Sequence, residues 1–187
     1  MIFGDKLLTP RLRLRRVYEQ DLPLLLEWSN SCTAHGDFLT PERLDHCSGL
    51  SQISTGMLWH DDNRVFLVEL KDGSALGTLH YWLRSESKRC GVIALKISDP
   101  EKRNNGYGTE AQKYVIINLF ERMKLESVEM YTDINNLAQQ RCLKKLGFEL
   151  VETLMYDDRQ VRRLGHLFRL DATTYSKLLY YQYHYEE

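Results

Sequence analysis

Arg11-Leu12-Arg13-Leu14-Arg15 alternates strictly between apolar and basic residues, which predicts a half-buried strand. The period then changes. Leu22, Leu25 and Leu26 fall at helical spacing behind Asp21, an expected N-cap, with Pro23 in the first turn. Thr40-Pro41-Glu42 repeats this cap-then-proline signal ahead of Leu44 and Cys47, so a second helix is expected there. Ser31 to Leu39, between the two, reads as irregular. Val65–Leu70 and Ala75–Leu83 are strand-like runs around the hairpin signal Asp72-Gly73, and Val92–Ile97 is a third strand beyond the polar turn Arg84–Arg89.

Ala111 to Met123 has no breaker and is apolar nearly all round, which predicts a helix buried on more than one side. Val128, Met130, Thr132 and Ile134 alternate with polar partners as a strand. Asn136 is placed to cap a helix with the apolar face Ala138, Cys142, Leu143 and Leu146, and Gly147 to end it. Phe148–Tyr156 and Val161–Leu170 predict a last pair of strands. The order describes one mixed α/β domain over residues 1–175, with a largely antiparallel sheet of about seven strands flanked by about four helices. The tyrosine-rich tail, residues 176–187, lies outside that layout and suggests a homodimer contact.

Composition narrows the function. Among 187 residues, 43% hydrophobic, 25 basic side chains meet 26 acidic ones, so no basic excess points to a nucleic-acid partner. No apolar run reaches the roughly 18 residues of a membrane span, and the first residues lack a signal-peptide pattern. Cys32, Cys47, Cys90 and Cys142 form no C-x-x-C pair, which argues against zinc and for a reduced, cytoplasmic protein.

The chemistry concentrates between the third strand and the long helix, in Asp99-Pro100-Glu101-Lys102-Arg103-Asn104-Asn105-Gly106-Tyr107-Gly108-Thr109-Glu110-Ala111. A glycine turn feeding a helix start offers unpaired N–H groups and a favourable dipole to an anion, and Arg103 adds a fixed charge. A Walker loop is excluded because no Gly-Lys pair exists. The segment does satisfy the dinucleotide fingerprint G-x-G-x-x-G/A, with Glu129 about twenty residues on as the ribose acid. That fingerprint belongs on the first strand of a βαβ series, however, and here a meander precedes it. Arg103 to Gly108 also matches the acetyl-CoA turn R/Q-x-x-G-x-G/A in the right element order.

At these residues the chain resembles the GNAT superfamily of N-acetyltransferases, in the branch similar to RimJ/RimL and polyamine acetyltransferases. Leu8-Thr9-Pro10-Arg11-Leu12-Arg13-Leu14-Arg15 resembles that branch's opening strand. Gly106 to Ala111 resembles its helix start, and Asn136 to Phe148 its late "N…EKLGF" segment. The resemblance implies acetyl-CoA as cosubstrate, no metal, and attack by a primary amine: a peptide N-terminus, a polyamine or an aminoglycoside-like compound. It implies a splayed strand pair, with pantetheine on the backbone of Leu95 and Ile97 and the pyrophosphate on Arg103, Asn104, Asn105, Gly106, Tyr107, Gly108 and Thr109. Asn136, or Asn135, would bond pantetheine, Arg141 would reach the cofactor, and the N–H of Ile97 would stabilise the carbonyl oxygen.

Two positions depart from the family. Leu143 stands where many members have a tyrosine acid, and Val92 and Ile93 stand where related chains carry a glutamate. Asp133 is the leading candidate base, with a strand-end role bonding Asn135-Asn136 as its plainer alternative. Glu69, His80 and Tyr81 are weaker candidates. The substrate walls are expected from Trp28, His35, Tyr81 and Trp82, with Phe38, Asp37, Trp59, Tyr156, Asp157 and Asp158 as further contributors. The same departures leave room for a catalytically silent acyl-CoA-binding module.

Overall fold

In the computed structural model, which describes residues 4–182, the Arg-Leu alternation is a strand with a dry face and an ionic one. A short β1 (Lys6–Leu8) pairs with β2 (Leu12–Arg16). Leu12 and Leu14 are wholly buried, while Arg13 and Arg15 both bond the buried Glu69 carboxylate on the other face. Arg15 also forks onto Asp21 at 2.7 and 2.8 Å, just ahead of α1 (Leu22–Ser29). Asp21 therefore holds the strand to the helix and makes no side-chain cap.

The stretch expected to be irregular contains a single turn of helix, α2 (Cys32–His35), capped by the Ser31 hydroxyl. The helix predicted from Thr40-Pro41 starts later, as α3 (His46–Ser54), with Asp45 as its cap. Residues 40–45 are claimed by distant partners instead. Thr40 gives its N–H to Asp158 at 2.9 Å, Glu42 pairs with Arg159 at 2.5 Å, and Arg43 sits at φ 52, which a helix cannot contain.

A two-residue β3 (Trp59–His60) leads into the meander β4 (Asn63–Leu70), β5 (Ala75–Leu83) and β6 (Cys90–Ile97). The long helix α4 (Tyr107–Glu121) begins at the glycine turn and returns the chain to β7 (Ser127–Asp133). Then come α5 (Leu137–Lys145), the hairpin β8 (Glu149–Asp158) and β9 (Val161–Asp171), and two short helices, α6 (Ala172–Lys177) and α7 (Leu179–Gln182). The nine strands form one sheet in the order β1-β2-β4-β5-β6-β7-β9-β8, with β3 on β4. The two strands beyond the expected seven are the short β1 and β3. Every pairing is antiparallel except β6 with β7.

The larger core lies under α4 and α5. Leu12, Leu14, Phe66, Leu79 and Tyr81 face Val115, Ile116 and Leu119 there. A second cluster, Val17, Leu22, Trp28, Ile53 and Leu67, packs α1 and α3 on the opposite face. Part of the tail belongs to the fold. Tyr181 is buried in the main core, donates to the Leu146 carbonyl at 2.7 Å and packs on Tyr175. Lys113 lies over the Tyr180 ring. Tyr183 and Tyr185 lie outside the described residues.

Candidate active site

The site is made where β6 and β7 part. Their parallel pairing covers only Cys90–Ser127, Gly91–Val128 and Val92–Glu129. Bonds from Arg84 N–H to the Cys90 carbonyl and from Ser98 N–H to the Leu76 carbonyl fix which β6 residues bond towards β5. Those are the even-numbered ones, so Leu95 and Ile97 present their backbone to the gap. The Ile97 carbonyl there takes a bond from Arg103 Nε at 2.9 Å, and its N–H remains directed into the cleft.

The glycine turn closes one end of that gap. Asn104 and Gly106 have φ 61 and φ 80, a left-handed pair that turns successive N–H groups to one side. Among the described residues, no acceptor is bonded to the N–H groups of Asn104, Asn105, Gly106, Tyr107, Gly108 or Thr109. A Cβ on Gly108 would stand 2.7 Å from Leu95 Cδ2, so any larger residue would push the Leu95 side chain aside where α4 starts beside β6. The turn expected to hold an anion thus presents its N–H groups without protein acceptors.

Its anchor explains why two distant motifs occur together. Glu110, in the first turn of α4, accepts from the Thr9 hydroxyl at 2.6 Å, Arg11 N–H at 2.8 Å and Arg11 Nε at 2.6 Å. Arg11 also reaches the Asn105 carbonyl and covers the Tyr107 ring. Burial raises the Glu110 pKa, but the bonds from Thr9 and Arg11 and the Arg11 charge outweigh it, so the folded value lies below 4.5. The stability it contributes is present above pH 4.5 and is lost as pH falls through the depressed folded pKa. Glu110→Gln is expected to cost about 1–2 kcal/mol at neutral pH, discounted because Arg11 is half-exposed. Urea unfolding should show the difference shrinking below pH 4.5.

The gap and the turn together line a cleft of about 680 Å³. Leu95, Ile97, Arg103, Asn104, Gly106, Gly108, Thr109 and Asn136 border it, while the side chains of Asn105 and Tyr107 do not. The side chain of Asn136 caps α5 through Gln139 N–H at 3.1 Å, leaving its amide group to a ligand. The Arg103 guanidinium has a different use from the one predicted. It bonds the carbonyls of Ile97, Thr33 and Ala34, tying α2 to the end of β6.

Other expectations are corrected. Trp28 and Tyr81 are buried core residues, at 8% and 0% exposure, and wall no substrate. Trp82 stacks on His80, and neither borders the cleft. Arg141 is exposed on α5 and also lies off the cleft. Asp133 has the strand-end role: Oδ1 accepts from Asn135 N–H at 2.9 Å and Oδ2 lies 3.6 Å from Arg163. Glu129 pairs with Arg84 and Arg169, which removes the ribose acid of the dinucleotide alternative. Leu143, at the family's tyrosine position, is wholly buried.

His35 does reach the cleft. Its Nδ1 lies 3.0 Å from the Ser31 carbonyl, so Nδ1 carries the proton and Nε2 is the basic nitrogen. Burial, and then the charges of Lys96 and Arg159, hold its pKa below 6.5 against the Ser31 bond and Asp158. Lys96 Nζ stands 3.5 Å from Nε2. Lys96 was not predicted, because its strand neighbours carry no motif and its partner lies 61 residues away. Cys142 also borders the cleft, with its thiol 3.2 Å from the Thr109 hydroxyl and kept protonated mainly by burial. Another cavity of about 620 Å³, between α4 and the C-terminal helices, includes none of these groups.

The sheet splits at its one parallel pair, and the free N–H groups of the glycine turn stand at the end of the split. The chain belongs to the acetyltransferase (GNAT) domain family, whose model matches residues 11–149. Similar solved structures include RimJ from Mycobacterium smegmatis in complex with a CoA disulfide. It shares 19% identity and a TM-score of 0.73 over 87% of this chain and 82% of that one. A spermidine N-acetyltransferase SpeG chimera from Vibrio cholerae and hSSAT shares 14% identity and a TM-score of 0.74 over 89% and 99%. AAC(6')-Ib with paromomycin and acetyl-CoA shares 18% and 0.74 over 90% and 97%. No curated protein matches the chain. Among the described residues, no group of three or more His, Cys, Asp or Glu could hold a metal, and no helix is long and apolar enough to cross a membrane.

Proposed function

We propose that this protein transfers the acetyl group of acetyl-CoA to the nitrogen of a small primary amine, with His35 as the general base. The observation that carries the reading is the continuous cleft from the free N–H groups of residues 104–109 to the unpaired edge of β6. The cradle suits a pyrophosphate, and the edge at Leu95 and Ile97 suits the two amides of pantetheine. The thioester supplies an activated carbonyl carbon. The neutral amine attacks that carbon, a C–N bond forms, the C–S bond breaks, and the electron pair leaves on sulfur. Ile97 N–H is aimed to stabilise the charge that develops on oxygen. His35 Nε2 accepts the proton the nitrogen loses, and that proton ends on the CoA thiol.

Incubation with acetyl-CoA and a panel of amines, with free thiol followed, tests the reading. Release of thiol that depends on an amine is expected. CoA binding without turnover on any amine would favour the silent module.

The cradle has its own test. Gly106→Glu puts a carboxylate among the N–H groups and is expected to weaken CoA binding about 10–100-fold by calorimetry. Gly106→Asn, which tolerates the left-handed backbone and adds no charge, is expected to stay within about threefold of wild type. Equal affinity of the glutamate variant and wild type would place the pyrophosphate elsewhere.

A further inference from the structure

Lys96 is the uncompensated charge of the acceptor side. Its neighbours Leu95 and Ile97 face the cleft edge and α4, whereas its own side chain turns to the opposite face, towards α2. No carboxylate pairs with it among the described residues. The acidic groups nearby are already engaged: Glu42 with Arg159, and Asp133 and Asp158 with Arg163. Asp37 is exposed at the cleft border. Burial alone lowers the Lys96 pKa, to about 8, which leaves the ammonium predominant at neutral pH.

Lys96 also borders a second cavity, of about 350 Å³, on the α1 and α3 side. One wall is apolar, from Leu22, Leu25, Leu44, Leu58 and Val65, and the rest is polar, from Gln52, Thr78 and the Glu42–Arg159 ion pair. His80 stands there too, but burial pushes it down to about 4, so it stays neutral. The donor cleft and this second cavity therefore share one lysine.

We propose that the acceptor is a small amine bearing a carboxylate and an apolar side chain, such as a free apolar α-amino acid, with the carboxylate on Lys96 and the side chain in the second cavity. The proposal rests on the acetyl-transfer reading and narrows its substrate. The amine then points into the donor cleft, where Ile97 N–H and His35 lie. A carboxylate that takes the Lys96 ammonium also releases His35 Nε2 from that ammonium. Polycations are disfavoured, because they would meet Lys96 while Glu42, Asp133 and Asp158 are committed to arginines and Asp37 alone of these carboxylates is left.

The test has a binding arm and a turnover arm. CoA-saturated protein is titrated by calorimetry with N-acetyl-L-leucine and with the uncharged N-acetyl-L-leucinamide. The carboxylate is expected to bind at least about 10-fold tighter, a difference of about 1.4 kcal/mol, and the ratio should fall below about twofold in Lys96→Met. Lys96→Gln provides a second neutral variant, and the wild-type ratio needs no variant at all. Equal binding of the two probes, or a preference that survives both substitutions, overturns the proposal. In the turnover arm, leucine is expected to exceed leucinamide, spermidine and kanamycin in kcat/KM. Faster turnover of spermidine or kanamycin overturns the carboxylate class and leaves acetyl transfer standing. A binding preference that depends on Lys96, with no thiol released by any amine, overturns acetyl transfer and leaves the carboxylate site standing.

Discussion

Replacing His35 by glutamine is expected to lower kcat by roughly 10²–10³ while leaving CoA affinity within about twofold. Glutamine has similar length and can still donate to the Ser31 carbonyl, so the anchor of α2 is retained while the basic nitrogen is lost. The imidazole is ready for the task because its neutral form dominates at neutral pH. Burial and two nearby cations lower its pKa, so protonation competes only below 6.5. The sign follows directly. Wild-type kcat/KM, referred to the neutral amine, should rise with pH along an acid limb below 6.5 and then level off. The glutamine variant should lose that limb along with its rate. An unchanged kcat, or a retained limb in the variant, would remove His35 from the mechanism and leave solvent as the proton acceptor.

The parts of this site that were legible in the sequence are those made by local backbone chemistry. The β5 strand keeps the predicted bounds Ala75–Leu83, because the Asp72-Gly73 turn and the alternation after it act within a few residues. The cap at Asn136 and the left-handed Gly147 bound α5 for the same reason. The free N–H groups around Gly106 and Gly108 could be foreseen because the physics of a helix start needs no partner from elsewhere.

The roles of the side chains around the cleft were hidden because their meaning is long-range. Arg103 looks like a phosphate ligand in its own segment, yet its fork is filled by carbonyls of residues 33, 34 and 97. Asp133 and Asp158 look available until Arg163 is placed between them. Residues 40–45 carry a sound helix signal, but ties to the β8–β9 hairpin, more than a hundred residues later, outweigh it. One clue was local: His35 follows a serine N-cap by four residues, the spacing that lets its ring reach the Ser31 carbonyl.

Gly77→Ala is expected to do the greatest damage to the fold, and through it to the site. Gly77 stands opposite Ile97 across the two central strands. A Cβ there would lie 1.8 Å from the Lys96 carbonyl oxygen and 2.9 Å from Ile97 Cα. These are backbone atoms, so no rotamer change can relieve the overlap, and β5 and β6 must move apart. That movement strains the Ser98-to-Leu76 bond beside it and shifts both Lys96 and the Ile97 N–H. The cost should reach about 4 kcal/mol, the range in which single substitutions have one nameable cause. For a chain of this size that corresponds to a Tm lowered by about 8–16 °C, or to protein that does not accumulate in soluble form. Gly73→Ala provides the contrast. That glycine lies in the hairpin turn with no heavy atom within 4 Å of a built Cβ, so its cost comes from its positive φ and should be limited to about 1–2 kcal/mol. If Gly77→Ala melted within about 2 °C of wild type, β5 and β6 would not be packed at the distance that places Ile97 at the mouth of the cleft. The geometry on which the reaction rests would then fail with it.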